Sequence, residues 1–468
     1  MLSANIGTND ITRFNLTSAN PNPWWIRELA THYAHIQMSP FLGSNFYNGT
    51  SCTPGCCSEL DVPKGCNPYV CTCGEHPLKT VARALKKVNP KMKVQLYQAV
   101  DRGDLTPWGS RQLQAHPDRW QRDDKGQVMY MNPDWRCPPN ATSSGGHLQC
   151  HPMQDWANEG YRQWFRDFPL SIFGADAAEL FDGLMVDGSG YFPDVPWMVP
   201  SGNVSVTSYQ TRFAAQIELL REAQQAFAKL NNGLIFDNGG LPDPGTQPTF
   251  PELSWRNVAG GIGSGSFLEW FGVFGQINGV NGSWNVEAFN TSMTTVMESA
   301  RAGYPVVLKQ APGPANQPFM RRGWGADQGL MEHNGFEITQ WDGPKGPISN
   351  DSQVVRDDVA RVLVQTLAPF LIVAEENVFF SYAWFYNLED GYIPCPGNVT
   401  INNVSMNFEC GMPAEWYPEF SKPLGAPDGP AVCTNGTVWT RGFEHAHVYM
   451  DLNDIDSARI DWQPAPLA

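Results

Sequence analysis

The chain has 468 residues and a formal net charge of −16, long enough for one large core without requiring a second big domain. Apart from the pairs Lys86-Lys87 and Arg321-Arg322 its basic residues are scattered, so the Lys/Arg stripe that neutralises phosphates is missing and nucleic acid is not an expected partner. The longest apolar run, Val359 to Val373, is interrupted by Arg361, Gln365 and Pro369 and is too short and too polar to span a membrane.

In chain order, Met1 to Asp10 lacks the charged start, apolar stretch and cleavage site of a signal peptide, which suggests a mature or incomplete reading frame. A short helix around Trp25 to Ala30 precedes the first expected strand, Ala34 to Ser39. Between about residues 45 and 75 the chain becomes Gly/Pro-rich, and six of the eleven cysteines (Cys52, Cys56, Cys57, Cys66, Cys71, Cys73) gather there. A loop without apolar periodicity needs covalent staples, and Cys56-Cys57 with Cys71-Thr72-Cys73 suits disulfides better than zinc, which favours separated C-x-x-C pairs. Cys137 with Cys150 and Cys395 with Cys410 could close two further loops, which leaves Cys433 odd or paired with the first cluster. The connectivity stays open.

Leu78, Val81, Ala82, Leu85 and Val88 share one helical face, and Lys93 to Val100 follows as a buried strand ending at Asp101. A short third strand is expected near Gln127 to Met131. A helix from Asp155 to Ile172 leads to a fourth strand, Phe181 to Val186, which closes in Asp187-Gly188. Ile217, Leu220, Phe227 and Leu230 mark a helix before Leu234-Ile235-Phe236 and its polar end Asp237-Asn238-Gly239. A sixth strand, Ser266 to Phe271, carries Glu269; the helix Val286 to Ala302 leads to strand seven, Pro305 to Lys309. The helix Ser352 to Leu371 then leads to strand eight, Phe379 to Trp384. This alternation predicts a (β/α)₈ TIM barrel over residues 1–388, with the cysteine-rich insertion after strand one. The remainder, 389–468, is rich in Pro, Gly and Cys with short alternating runs, and predicts a small β module packed on the barrel.

N-x-S/T sequons stand at Asn15, Asn48, Asn140, Asn203, Asn281, Asn290, Asn350, Asn398, Asn403 and Asn435. With the cysteines they predict a secreted chain bearing N-glycans on its own surface. The plainer alternative is a chain rich in Asn, Ser and Thr that contains sequons without using them.

In a barrel the chemistry lies at the C-terminal ends of the strands, and two carboxylates stand out there. Asp187 ends the fourth strand, on the same face as Met185 and Gly183. Glu269 interrupts the apolar run Phe267-Leu268-Glu269-Trp270-Phe271, where an unpaired carboxylate is costly to bury. Glycoside hydrolysis needs such a pair, one carboxylate to attack and one to protonate the departing oxygen. Asp187 is the expected nucleophile and Glu269 the expected acid/base. The structural alternatives are a loop-capping aspartate and a core glutamate paired with a cation. Asp182, at the other end of the strand, reads as a turn residue.

Asp101, Asn238, Lys309, Tyr382 and Trp270 are expected to contact a carbohydrate substrate. Lys309 could instead pair with Glu269 and lower its pKa. Trp108, Trp135, Trp197, Trp324 and Trp341 can stack on sugar rings or simply pack. No G-x-S-x-G, H-E-x-x-H or Walker motif is present, and the glycines from Gly260 to Gly265 precede a strand. No organic cofactor is expected, and His445 with His447 reads as an ordinary pair with no metal bound.

The strand Phe181-Asp182-Gly183-Leu184-Met185-Val186-Asp187-Gly188 resembles the DG-x-x-x-DG strand of TIM-barrel glycoside hydrolases related to the endo-α-1,4-polygalactosaminidases. Asn238-Gly239, Glu269-Trp270-Phe271, Leu424-Gly425-Ala426-Pro427 and the series Arg441, Phe443, Val448 fit further short motifs of that family. The resemblance implies a barrel with acids on strands four and six, as in the α-galactosidase clan. The cysteine insertion, and His445-Ala446 in place of the usual N-G, depart from the pattern. The rival reading is a barrel without catalytic activity that serves as a secreted or cell-surface glycan-binding protein.

Overall fold

The computed structural model describes residues 3–6, 24–38, 77–100, 113, 116–129, 152–173, 177–187, 204–231, 234–238, 265–268, 286–310, 352–382, 398–401, 404–407 and 417–463. The chain divides into two compact units, one comprising Leu2–Gly240 with Glu252–Ser266 and the other Leu241–Pro251 with Phe267–Ala468.

The first unit contains β1 (Ser3–Ile6), α1 (Trp24–His32), β2 (His35–Met38), α2 (Pro77–Val88) and β3 (Lys93–Ala99), followed by α3 (Glu159–Phe173), α4 (Ala177–Leu180), β4 (Gly183–Asp187), α5 (Val206–Asn231) and β5 (Leu234–Asn238). These five strands pair in parallel and in chain order. Strand β6 (Gly265–Leu268) crosses the division. The second unit adds α6 (Val286–Arg301), β7 (Val306–Gln310), α7 (Ser352–Val373) and β8 (Val378–Tyr382), and β7 and β8 are parallel. The order in the sheet is β1 to β8 throughout, the sequential α/β topology that the alternating pattern predicts.

Among the described residues this sheet has eight strands, as many as expected, but they are not the same eight. Ser3–Ile6 is the first, so the strand around Ala34 is the second and that around Lys93 the third. The third strand expected at Gln127–Met131 lies partly outside the described residues; its described part, Gln127–Met129, is not in the sheet, where β3 pairs directly with β4. Arg122 and Val128 form an isolated antiparallel bridge there, and Trp120 with Gln154 another. The alternation around Val128 is real but serves a small local patch. Asp187 keeps its place on the fourth strand.

Local chemistry explains the helices that frame this sheet. Pro77 opens α2, where its missing N–H costs nothing, and Leu78, Val81, Ala82 and Leu85 are fully buried. Val88, expected on the same face, is exposed in the last turn. Helix α3 begins at Glu159 because Asp155 and Asn158 form the turn before it; Asn158 Oδ1 accepts the Tyr161 N–H at 3.1 Å as an N-cap. In β3, Gln98 Nε2 donates to the Phe165 carbonyl of α3 at 3.5 Å, so Val94, Leu96 and Gln98 face the helices. The opposite face of β2, β3 and β4 carries His35, Gln37, Gln95, Tyr97, Met185 and Asp187.

Residues beyond β8 form a hairpin, β9 (Asn398–Ile401) with β10 (Val404–Asn407), and a meander, β11 (Val432–Thr434), β12 (Val438–Phe443), β13 (Ala446–Asp451) and β14 (Asp454–Trp462). Asn435 and Gly436 both take left-handed φ, 55° and 76°, between β11 and β12, which is the tight turn that suits the strand twist. Gly425, at φ 74°, leaves no room for a Cβ beside Glu444, which explains the glycine of the Leu-Gly-Ala-Pro turn. The meander packs on α7: buried Arg441 donates to the Ile372 carbonyl at 2.8 Å. Trp439 Nε1 also donates to Asn290 Oδ1 of α6 at 2.9 Å.

Candidate active site

Asp187 is the last residue of β4 and is half-buried. The Tyr97 hydroxyl of β3 donates to its Oδ2, a charge-assisted bond when the carboxyl is ionised. Ala99 stands directly beside Asp187 in the register, and Tyr97 beside Met185. Two residues further down the face, Gln95 accepts a hydrogen bond from His35 Nε2 at 2.7 Å. The imidazole is fully buried, and burial pushes its pKa down to about 4, against the opposing effects of the Gln95 bond and the Asp182 charge. It is therefore neutral near pH 7 and fixes the orientation of Gln95. Gln37, level with Gln95 on β2, has both amide atoms buried without a hydrogen-bond partner.

Just before β4, Asp182 is almost fully buried and accepts from Lys86 Nζ at 2.6 Å, Lys93 Nζ at 3.0 Å and the Val94 N–H at 2.9 Å. It is the hub of an ion-pair network, which replaces the expected turn role. A carboxylate desolvated to this degree is stable only with such partners.

The other expected residues fall in different places. Asn238 is the last residue of β5. Lys309, in β7, is fully buried opposite Ser381 of β8; it lies on the face away from Phe380, whose ring packs on Phe370 of α7 at 4.9 Å. Tyr382 shares the helix-facing side with Phe380, is buried, and meets Tyr417 edge-on at 6.0 Å. Burial raises its hydroxyl well above the ordinary value, with Tyr417 adding to the shift and a Thr366 hydrogen bond opposing it. Strand alternation turns Tyr382 toward α7, on the same side as Phe380. Glu269, Asp101, Trp270 and the five other singled-out tryptophans lie outside the described residues, as do all cysteines except Cys433, an exposed free thiol. Among the described residues no cluster is suited to a metal ion, and no helix is long and apolar enough to cross a membrane.

Sequence reasoning missed Tyr97. A signal was present, since alternation in Lys93–Ala99 puts Gln95, Tyr97 and Ala99 on one face, but only the β3–β4 register connects that face to Asp187. Chemically, a half-buried carboxylate at a strand's C-terminal end is suited to nucleophilic or general-base work.

No curated protein sequence matches the chain. Among solved structures it is similar to the glycoside hydrolase domain of PelA from Pseudomonas aeruginosa, at 9% identity over 66% of this chain and 83% of that one, with a TM-score of 0.31. It is also similar to trehalose-6-phosphate hydrolase from Bacillus licheniformis, at 11% identity over 82% of this chain and 64% of that one, with a TM-score of 0.40. An inactive double mutant of MutB is matched at 12% identity over 96% of this chain and 90% of that one, with a TM-score of 0.41. Likenesses this distant carry no argument about activity. The family model is decisive: its match covers residues 86–447, from within α2 to within β13, and so includes Tyr97 and Asp187 together with β3 through β12; the chain belongs to the hypothetical glycosyl hydrolase family 15.

Proposed function

We propose that the chain is a glycosidase that cleaves an oligo- or polysaccharide by a retaining, two-carboxylate mechanism, in a (β/α)₈ barrel. Family membership supports the reaction class. The observation that carries the residue assignment is Asp187, half-buried at the C-terminal end of the fourth strand with Oδ2 bound by Tyr97. In this reading Asp187 attacks the anomeric carbon and forms a glycosyl-enzyme while Glu269 protonates the departing oxygen. Glu269 then takes a proton from the water that releases the sugar. Asp101, Asn238, Lys309 and Trp270 are assigned to sugar contacts. The motif resemblance to the polygalactosaminidases makes α-1,4-linked galactosamine polymers one substrate to test. The same reading includes a secreted protein, N-glycosylated on its own surface and stapled by disulfides, which glycopeptide and non-reducing mass spectrometry on protein secreted from eukaryotic cells will check.

The second reading, a glycan-binding protein without turnover, is separated by one experiment. The chain and its Asp187→Asn and Glu269→Gln variants are screened for hydrolysis and for binding on a glycan panel, and the product anomer is read by NMR. Lost turnover with binding retained is expected of a hydrolase, and a first product that keeps the substrate's anomeric configuration marks retention. Binding without turnover in the unaltered chain, unaffected by either substitution, favours the lectin.

A further inference from the structure

We infer that Tyr97 is a positioning residue for Asp187: its phenol holds Oδ2 and so fixes the orientation of the carboxylate. The inference rests on the reading of Asp187 as nucleophile. Neighbouring strands lie about 4.8 Å apart and rise about 3.3 Å per residue. A side chain that reaches Asp187 from two positions lower on β3 must therefore be long and stiff. Tyrosine meets this with two torsions and a rigid ring, and Ala99, the direct neighbour of Asp187, is too small to block the way.

A purely structural tie is the competing account, and two observations weigh against it. Strands β3 and β4 are already in register from Gln95 with Gly183 to Ala99 with Asp187, so the side-chain bond adds little to pairing. Tyr97 is also only half-buried, beside fully buried Leu96 and Gln98, so its ring is not a main element of the core. The physical gain is orientation: a carboxylate with one oxygen anchored loses less rotational freedom on reaching the transition state.

The test combines a spectroscopic and a kinetic reading. With [¹³Cζ]tyrosine incorporated, the Tyr97 resonance is identified by its absence in Tyr97→Phe and must shift in Asp187→Asn. An unmoved resonance overturns the hydrogen bond whether or not a substrate is known. On the 4-nitrophenyl glycosides that the unaltered chain hydrolyses, Tyr97→Phe is expected to lower kcat about 10- to 100-fold, with KM and thermal midpoint little changed. The double variant Tyr97→Phe/Asp187→Asn should be no slower than Asp187→Asn alone, because the two groups act as a unit. If Asp187→Asn abolishes turnover while Tyr97→Phe leaves kcat unaltered, positioning is refuted and the nucleophile stands. If Asp187→Asn keeps full turnover, the nucleophile reading fails and takes this inference with it.

Discussion

Two aspartates frame strand β4, and the chain treats them in opposite ways. Asp182, before the strand's N-terminal end, is saturated by two ammonium groups and a backbone N–H. Asp187, at the C-terminal end, is half-buried and takes a neutral phenol. Both belong to the same short motif, yet the first has its charge neutralised in place by two lysines while the second is met by a tyrosine hydroxyl from the neighbouring strand. The contrast follows the division of labour in parallel α/β sheets, where stability collects at the N-terminal ends of the strands and chemistry at the C-terminal ends.

The comparison breaks most sharply by exchanging the two acids for neutral residues. Asp187→Asn should cost at least about a thousandfold in turnover, about 4 kcal/mol of barrier, with the thermal midpoint nearly unchanged; steady-state kinetics beside calorimetry reads both. Asp182→Ala should do the reverse, lowering unfolding free energy by about 3 kcal/mol while turnover per folded molecule persists. Most of that loss is due to Lys86, whose side chain is 16% exposed, since Lys93 at 44% can rehydrate. Urea titrations of the two variants will show whether the ends of β4 are as separate as their contacts.

His35 sharpens the same contrast through pH. With burial holding its pKa at about 4 in place of 6.5, the unfolded chain takes up a proton below pH 6.5 that the folded chain refuses until about pH 4. Its contribution is complete above pH 6.5 and is lost as pH falls through that window, by up to about 3 kcal/mol. His35→Gln should flatten that part of the stability profile. The smallest effect is expected at Gln37, where Gln37→Met replaces two buried, unpartnered polar atoms and should raise stability by about 1 kcal/mol. A loss of turnover in that variant would instead mark Gln37 as a group that serves the ligand.

Much of the helical framework was legible from local pattern. The apolar face of α2 and the alternation that puts Asp187 at a strand end follow from periods of 3.6 and 2 along the chain, whereas α3, expected from Asp155, begins at Glu159 after the turn that Asp155 and Asn158 form. The family's short motifs were legible too, down to Gly425, whose left-handed φ and close approach to Glu444 leave room only for glycine. Errors fell where local pattern is weakest. Ser3–Ile6 is four residues long and has little intrinsic strand signal; it is a strand because β2 pairs with it. Gln127–Met131 has the alternation of a strand, but β3 and β4 already occupy each other's edges.

By itself, then, the order of residues determined the alternating α/β pattern, the acid at the close of the fourth strand and the glycine-dependent turns, because each depends on neighbours a few positions away. Tertiary structure alone decided which side chains meet: Tyr97 with Asp187, Lys86 and Lys93 with Asp182, and Tyr382 with Tyr417. Those meetings depend on strand register and on which face of each strand the helices cover, and both are set by contacts between segments far apart in the chain.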